Sequence, residues 1–138
     1  MIIFIGCSKT KKRLPCKAKE MYQGSLFRKA LQYALFFTKA KIYILSAKYG
    51  LLELNKKIKP YDQTLKTKTR KQKLKWSKKV RKQIHSKNLS TPFLYLCGSC
   101  YYENLPKGET PWKGLSIGYI LKWLNDHLRK KKEKGFNL

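Results

Sequence analysis

A chain of 138 residues with 33 Lys and Arg against 7 Asp and Glu carries a formal charge of +26, and with 42% hydrophobic residues it suits one domain around one core. So much like charge destabilises a compact state unless a polyanion screens it, which points to nucleic acid as partner. No apolar run approaches a bilayer span, and the most basic helix has too thin an apolar stripe to lie on a membrane.

The apolar start is too short for a signal peptide, so a soluble cytoplasmic protein is expected. In that compartment the four cysteines are expected as reduced thiols. Cys97 and Cys100 form one tight pair, but Cys7 and Cys16 stand nine residues apart. That spacing argues for structural thiols over a metal centre, and no cofactor is called for.

Residues 2–6 read as a strand buried on both faces. The basic loop "CSKTKKRLPCKAKE" follows, then a helix over 25–37 with Phe27, Ala30, Leu31, Ala34 and Leu35 on one face. A second strand over 41–46 completes a right-handed βαβ unit. A helix over 66–86 has the narrow apolar stripe Trp76, Val80 and Ile84 among lysines and arginines. A third strand over 92–97 and a helix over 115–129, with Ile117, Ile120, Leu121, Leu124 and Leu128 toward the core, close the fold. The expectation is a small three-layer α/β domain over 1–129, with a mostly parallel central sheet and helices on both faces. A basic, flexible tail over 130–138 is expected to follow. His85 and His127 have no partner spacing and read as ordinary helix residues.

Ligands of open α/β sheets bind outside the carboxyl ends of the strands. All three strands exit into small polar residues: Cys7, Ser8 and Lys9; Ser46, Lys48, Tyr49 and Gly50; Gly98 and Ser99. If these exits converge, the cleft suits a phosphate or a nucleobase edge. Pro60-Tyr61-Asp62 makes a stiff turn that aims the only carboxylate between Glu53 and Glu103. The same Asp also suits a helix or turn cap. Tyr49 and Tyr61 suit base stacking. Lys56, Lys57 and Lys59 before the turn, and Lys68, Arg70, Lys71 and Lys75 after it, would draw a phosphate backbone to the pocket.

Cys7-Ser8-Lys9, the run Leu45 to Leu51, Pro60-Tyr61-Asp62, Gly98 and the later Pro111, Gly114, Gly118 and Trp123 resemble a small bacterial, archaeal and phage family. That family is related to the YaaA peroxide-stress proteins. The resemblance covers nearly all of residues 1–128. It implies DNA rather than RNA as partner, and an association with modified bases. The layout is also similar to that of uracil-DNA glycosylases and of the domain accompanying archaeal tRNA-guanine transglycosylases. In glycosylases of that type a loop Asp supports water attack as the sugar becomes cationic.

The expected function is nucleic-acid binding with action on a base, by cleavage or exchange of its N-glycosidic bond. Asp62, Lys48 and Ser46 are the candidate catalytic groups. Two alternatives stand beside it: a non-catalytic, protective DNA- or RNA-binding module, and an enzyme on free nucleotides.

Overall fold

A computed structural model describes residues 1–134. In chain order the elements are β1 (Ile2–Gly6), β2 (Cys16–Lys17), α1 (Ala18–Met21), α2 (Ser25–Leu35), β3 (Lys41–Ser46), β4 (Gly50–Glu53) and β5 (Lys57–Ile58). A 3-10 turn (Leu65–Thr67) then leads to α3 (Arg70–Ser86), β6 (Phe93–Leu96), α4 (Ser99–Tyr102) and α5 (Ile117–Glu133).

The main sheet has the order β4-β3-β1-β6. β1 is central because every residue from Ile2 to Ile5 is apolar and both its neighbours, β3 and β6, run parallel to it. The strand period of two then splits its side chains. Ile3 and Ile5 enter a core shared with α2 and α5, whereas Ile2 and Phe4 enter a second core against α3. Two cores lie on opposite sheet faces, where composition suggested one, because the central strand sends alternate side chains to either side; the result is a three-layer α/β domain, as its strand and helix pattern foretold.

On one face α2 buries Phe27, Ala30, Tyr33 and Ala34 and packs on Ile120, Leu124 and Leu128 of α5. α2 stops at Leu35, short of residue 37, where the Phe36 and Phe37 amides donate to Tyr33 and Ala34, three residues back. Tyr33 takes the core place expected of Leu35, which points outward.

On the other face α3 buries Trp76, Val80 and Ile84. The aliphatic pair stabilises the domain by about 1.5–3 kcal/mol per side chain. The helix begins at Arg70, not at 66, because Thr69 and Gln72 form a reciprocal capping box: Gln72 N donates to Thr69 Oγ1 at 3.2 Å and Thr69 N to Gln72 Oε1 at 2.9 Å.

The antiparallel strand β4 on β3 and the short ribbon β2–β5 escaped the sequence reading; each is too brief to show a period. The outer edge of β6 is covered by residue 109. Tyr95 N donates to Glu109 O, and Glu109 N to Phe93 O, both at 2.9 Å. Gly108 makes this approach possible, since a Cβ there would meet Phe93 Cβ at 2.8 Å.

α5 starts at Ile117 rather than 115 and continues to Glu133, so residues 130–133 of the expected tail are helical. Residues 135–138 lie outside the described residues. Ile117, assigned to the core by its spacing, is exposed in the first turn.

Candidate functional site

β1 and β6 are neighbours whose chains leave toward opposite faces, β1 toward α2 and β6 toward α4 beside α3. That divergence opens a crevice, the topological switch point at which α/β sheets hold ligands. Here it is a cleft of about 680 Å³. Its floor includes Leu96, Tyr101 and Trp112, and its rim carries Ser8, Lys9, Gly98, Ser99, Lys66 and Lys113. Among the described residues no carboxylate lines it. Apolar floor, hydroxyls and a cationic rim suit an aromatic anion.

Trp112 is buried, yet its Nε1 has no hydrogen-bond partner among the described residues. A buried donor without an acceptor costs about 1–3 kcal/mol. Gly98 and Gly114 line the cleft where a Cβ would meet nothing within 4 Å, so backbone is open to close approach.

Cys7, Cys97 and Cys100 also border this cleft. Tyr101 Oη lies 3.4 Å from Cys7 Sγ and donates to Cys7 O at 3.3 Å. Burial pushes the Cys97 and Cys100 thiols up, and with them the Tyr101 phenol. Both thiols of the C-x-x-C are therefore protonated at neutral pH and poor nucleophiles. Among the described residues, no group of three or more His, Cys, Asp or Glu could hold a metal ion.

The exit of β3 is built differently. Ser46 is fully buried, and its Oγ accepts from the amides of Lys48 and Tyr49 at 3.2 and 3.0 Å. Its Oγ is also 2.8 Å from Tyr61 Oη, which in turn lies 2.7 Å from Tyr22 Oη. From above, α3 clamps the turn. Trp76 Nε1 donates to Ser46 O at 2.8 Å, Lys79 Nζ to Lys48 O at 3.1 Å and Gln83 Nε2 to Tyr49 O at 3.2 Å. Gln83 Oε1 accepts from Leu51 N at 2.9 Å. Gly50, at φ +73°, sits under that amide.

The structure thus divides the predicted site. Cys7, Ser8, Lys9, Gly98 and Ser99 come together on the cleft; Ser46, Lys48, Tyr49, Gly50, Tyr61 and Asp62 do not line it. Two strand exits converge, not three, because the third is folded back as a hairpin and sealed by α3. Ser46 is a turn cap with its hydroxyl committed. Lys48 is exposed, with Nζ 5.2 Å from the centre of the Tyr49 ring. The Tyr61 ring is occupied by Lys11 at 4.6 Å and edge-on by Tyr49 at 5.6 Å, leaving little face for a base. Asp62 is exposed, and it immediately precedes Gln63 and Thr64, which do line the cleft.

The cations divide as well. Lys57 lies on the β2–β5 ribbon, flanked by Lys56 and Lys59, and the ribbon's Ile58 packs into the core of the α2 face. Lys68, Arg70, Lys71 and Lys75 lead into or lie on α3, on the other side of the sheet. Lys71 and Lys75, named from the sequence, continue through Lys78 and Lys82, which the sequence reading missed, as a stripe directly opposite the buried face of α3, all four exposed. Helix geometry spreads them over about 16 Å. No acidic residue occurs anywhere in α3. Helical spacing could have revealed this stripe; Trp112, Lys66 and Lys113 gave no signal because their place depends on tertiary packing.

Residues 2–126 match the family described as a family of unknown function, DUF6884. The chain belongs to this family. Its matched span includes the whole DUF6884 cleft and all of α3, and ends within α5. No curated protein and no solved structure matches the chain. No helix among the described residues of this DUF6884 protein is long and apolar enough to cross a membrane.

Proposed function

We propose that this DUF6884 protein binds nucleic acid along α3 and receives a base in the cleft between β1 and β6. The observation that carries the reading is a cleft with an apolar floor and a rim charged, among the described residues, only by Lys9, Lys66 and Lys113, on a domain whose α3 presents an acid-free row of lysines. Phosphate contacts supply affinity without sequence preference. An aromatic floor suits an unstacked base. The YaaA resemblance favours DNA, and the cleft suits a base out of its stack.

The test is titration of fluorescent single- and double-stranded oligonucleotides across a range of salt. Changing Lys71, Lys75, Lys78 and Lys82 together to Gln should weaken binding. It should also flatten the slope of log K against log salt by about 0.9 for each duplex phosphate no longer neutralised. An unchanged slope removes α3 from the interface.

A second reading adds hydrolysis of the N-glycosidic bond. It is favoured by Asp62, exposed and with no hydrogen bond or ion pair among the described residues, immediately before the cleft-lining Gln63 and Thr64. In this reading Asp62 swings to the cleft, orients water and opposes the charge that develops on the sugar.

A further inference from the structure

We propose that the cleft is a nucleoside-phosphate site of fixed polarity, with the phosphate at the start of α5 and the base on the floor that Trp112 helps to form. This rests on the reading that the cleft receives a base, and adds what is held next to that base and where.

The first turn of α5 opens at the cleft, which Leu115, Ile117 and Ile120 help to line. A helix of 17 residues presents unpaired amides and a positive dipole end there. Ser116 is its N-cap, yet no side chain caps it and no acid stands in its first turn. Lys113 and Lys9 line the same cleft, and Lys66 adds a third ammonium. At Gly118, in that first turn, a Cβ would meet nothing within 4 Å. Backbone amides, ammonium groups and open glycine backbone together make a phosphate cradle.

An independent feature points to the other half of the ligand. The Trp112 ring lines the cleft, only 3% exposed, and its indole N–H has no acceptor among the described residues. An indole donor matches the ring nitrogens and carbonyls of a nucleobase, which an isolated phosphate lacks. A donor at the floor and a cationic cradle at the mouth fix which end of the ligand goes in first. The same nucleoside phosphate is offered by a free mononucleotide and by a displaced or terminal nucleotide of a strand.

The experiment follows tryptophan fluorescence and heat of binding with deoxynucleosides, their 5′-monophosphates, inorganic phosphate, and short oligonucleotides with or without a 5′-phosphate. At least one monophosphate should bind tenfold or more tightly than its nucleoside and than phosphate alone. Ser116→Asp places a carboxylate over the helix end. It should keep or raise the melting temperature while weakening that monophosphate at least tenfold, and Lys113→Gln should weaken it severalfold. A preference for free monophosphates over oligonucleotides assigns the site to mononucleotides, and the reverse assigns it to strands; either supports the cradle. Equal affinity of nucleoside and monophosphate, or a folded Ser116→Asp protein that binds normally, overturns it. Oligonucleotide binding that depends on α3 but ignores Ser116 and every mononucleotide overturns the cradle and leaves the nucleic-acid surface standing.

Discussion

The Tyr61 hydroxyl lies 2.8 Å from Ser46 Oγ, and this bond ties the Pro-Tyr-Asp turn to the end of β3. It joins the two most distinctive motifs of the chain through buried hydroxyls, with Tyr22 as the third member. Their first role is therefore to hold the β3–β4 turn.

Ser46→Ala should leave the amides of Lys48 and Tyr49 and the Tyr61 hydroxyl short of a partner. Urea unfolding should show a loss of about 1–3 kcal/mol, while nucleic-acid affinity at permissive temperature stays within twofold. A stable Ser46→Ala protein that binds nucleic acid but has lost a base-directed activity would return Ser46 to the chemistry.

Gly50→Ala forces a side chain into the left-handed region, at a cost of about 1–2 kcal/mol, and pushes against the Gln83 amide. Gln83→Ala removes two hydrogen bonds from the same turn, for about 1–3 kcal/mol. The two losses should be less than additive because both substitutions release the same clamp. Thermal denaturation of the single and double variants checks this.

For the base-cleaving reading, wild-type protein incubated with DNA containing modified bases should leave alkali-labile abasic sites. Asp62→Asn should abolish them and spare binding. Absence of strand breaks from the wild-type protein, over a broad panel of modified bases in DNA, removes hydrolysis and leaves the binding function.

Burial raises the Tyr22 phenol from 10.0 to about 12, and it moves the Tyr61 and Tyr101 phenols in the same direction. The folded state holds these groups neutral. Their contribution is whole below the ordinary value of 10.0 and is lost as the solution passes toward pH 12 and above. The tyrosinate absorbance of these residues should therefore rise together with loss of circular dichroism, not before it. Tyr22→Phe should remove part of that absorbance step and move the transition to higher pH.

The layers of the fold were legible because β1, β3 and β6 are apolar runs and α2, α3 and α5 carry apolar residues at helical spacing. Half the cleft was legible as well: Ser8, Lys9, Gly98 and Ser99 follow buried strands, where sheet topology collects ligands. Ser46 ends a buried strand and Lys48 follows it. What set them apart was β4, a strand too short to announce itself, and Gln83 and Trp76, which reach back from α3 across some 30 residues. Local sequence cannot say which strand exit a distant helix will close. Trp112 was hidden for the same reason, since its loop acquires meaning only when it joins the core that α2 and α5 share and meets the Trp123 ring.

The pairing of Glu109 with β6 has a consequence for the aperture of the molecule. Trp112, Lys113 and Gly114 hang from that pairing by a few residues, so the far wall of the cleft is moored to the sheet margin. Gly108→Ala would strain the mooring against Phe93 and let the wall drift outward. Ligand selectivity would then loosen through a residue that never meets the ligand.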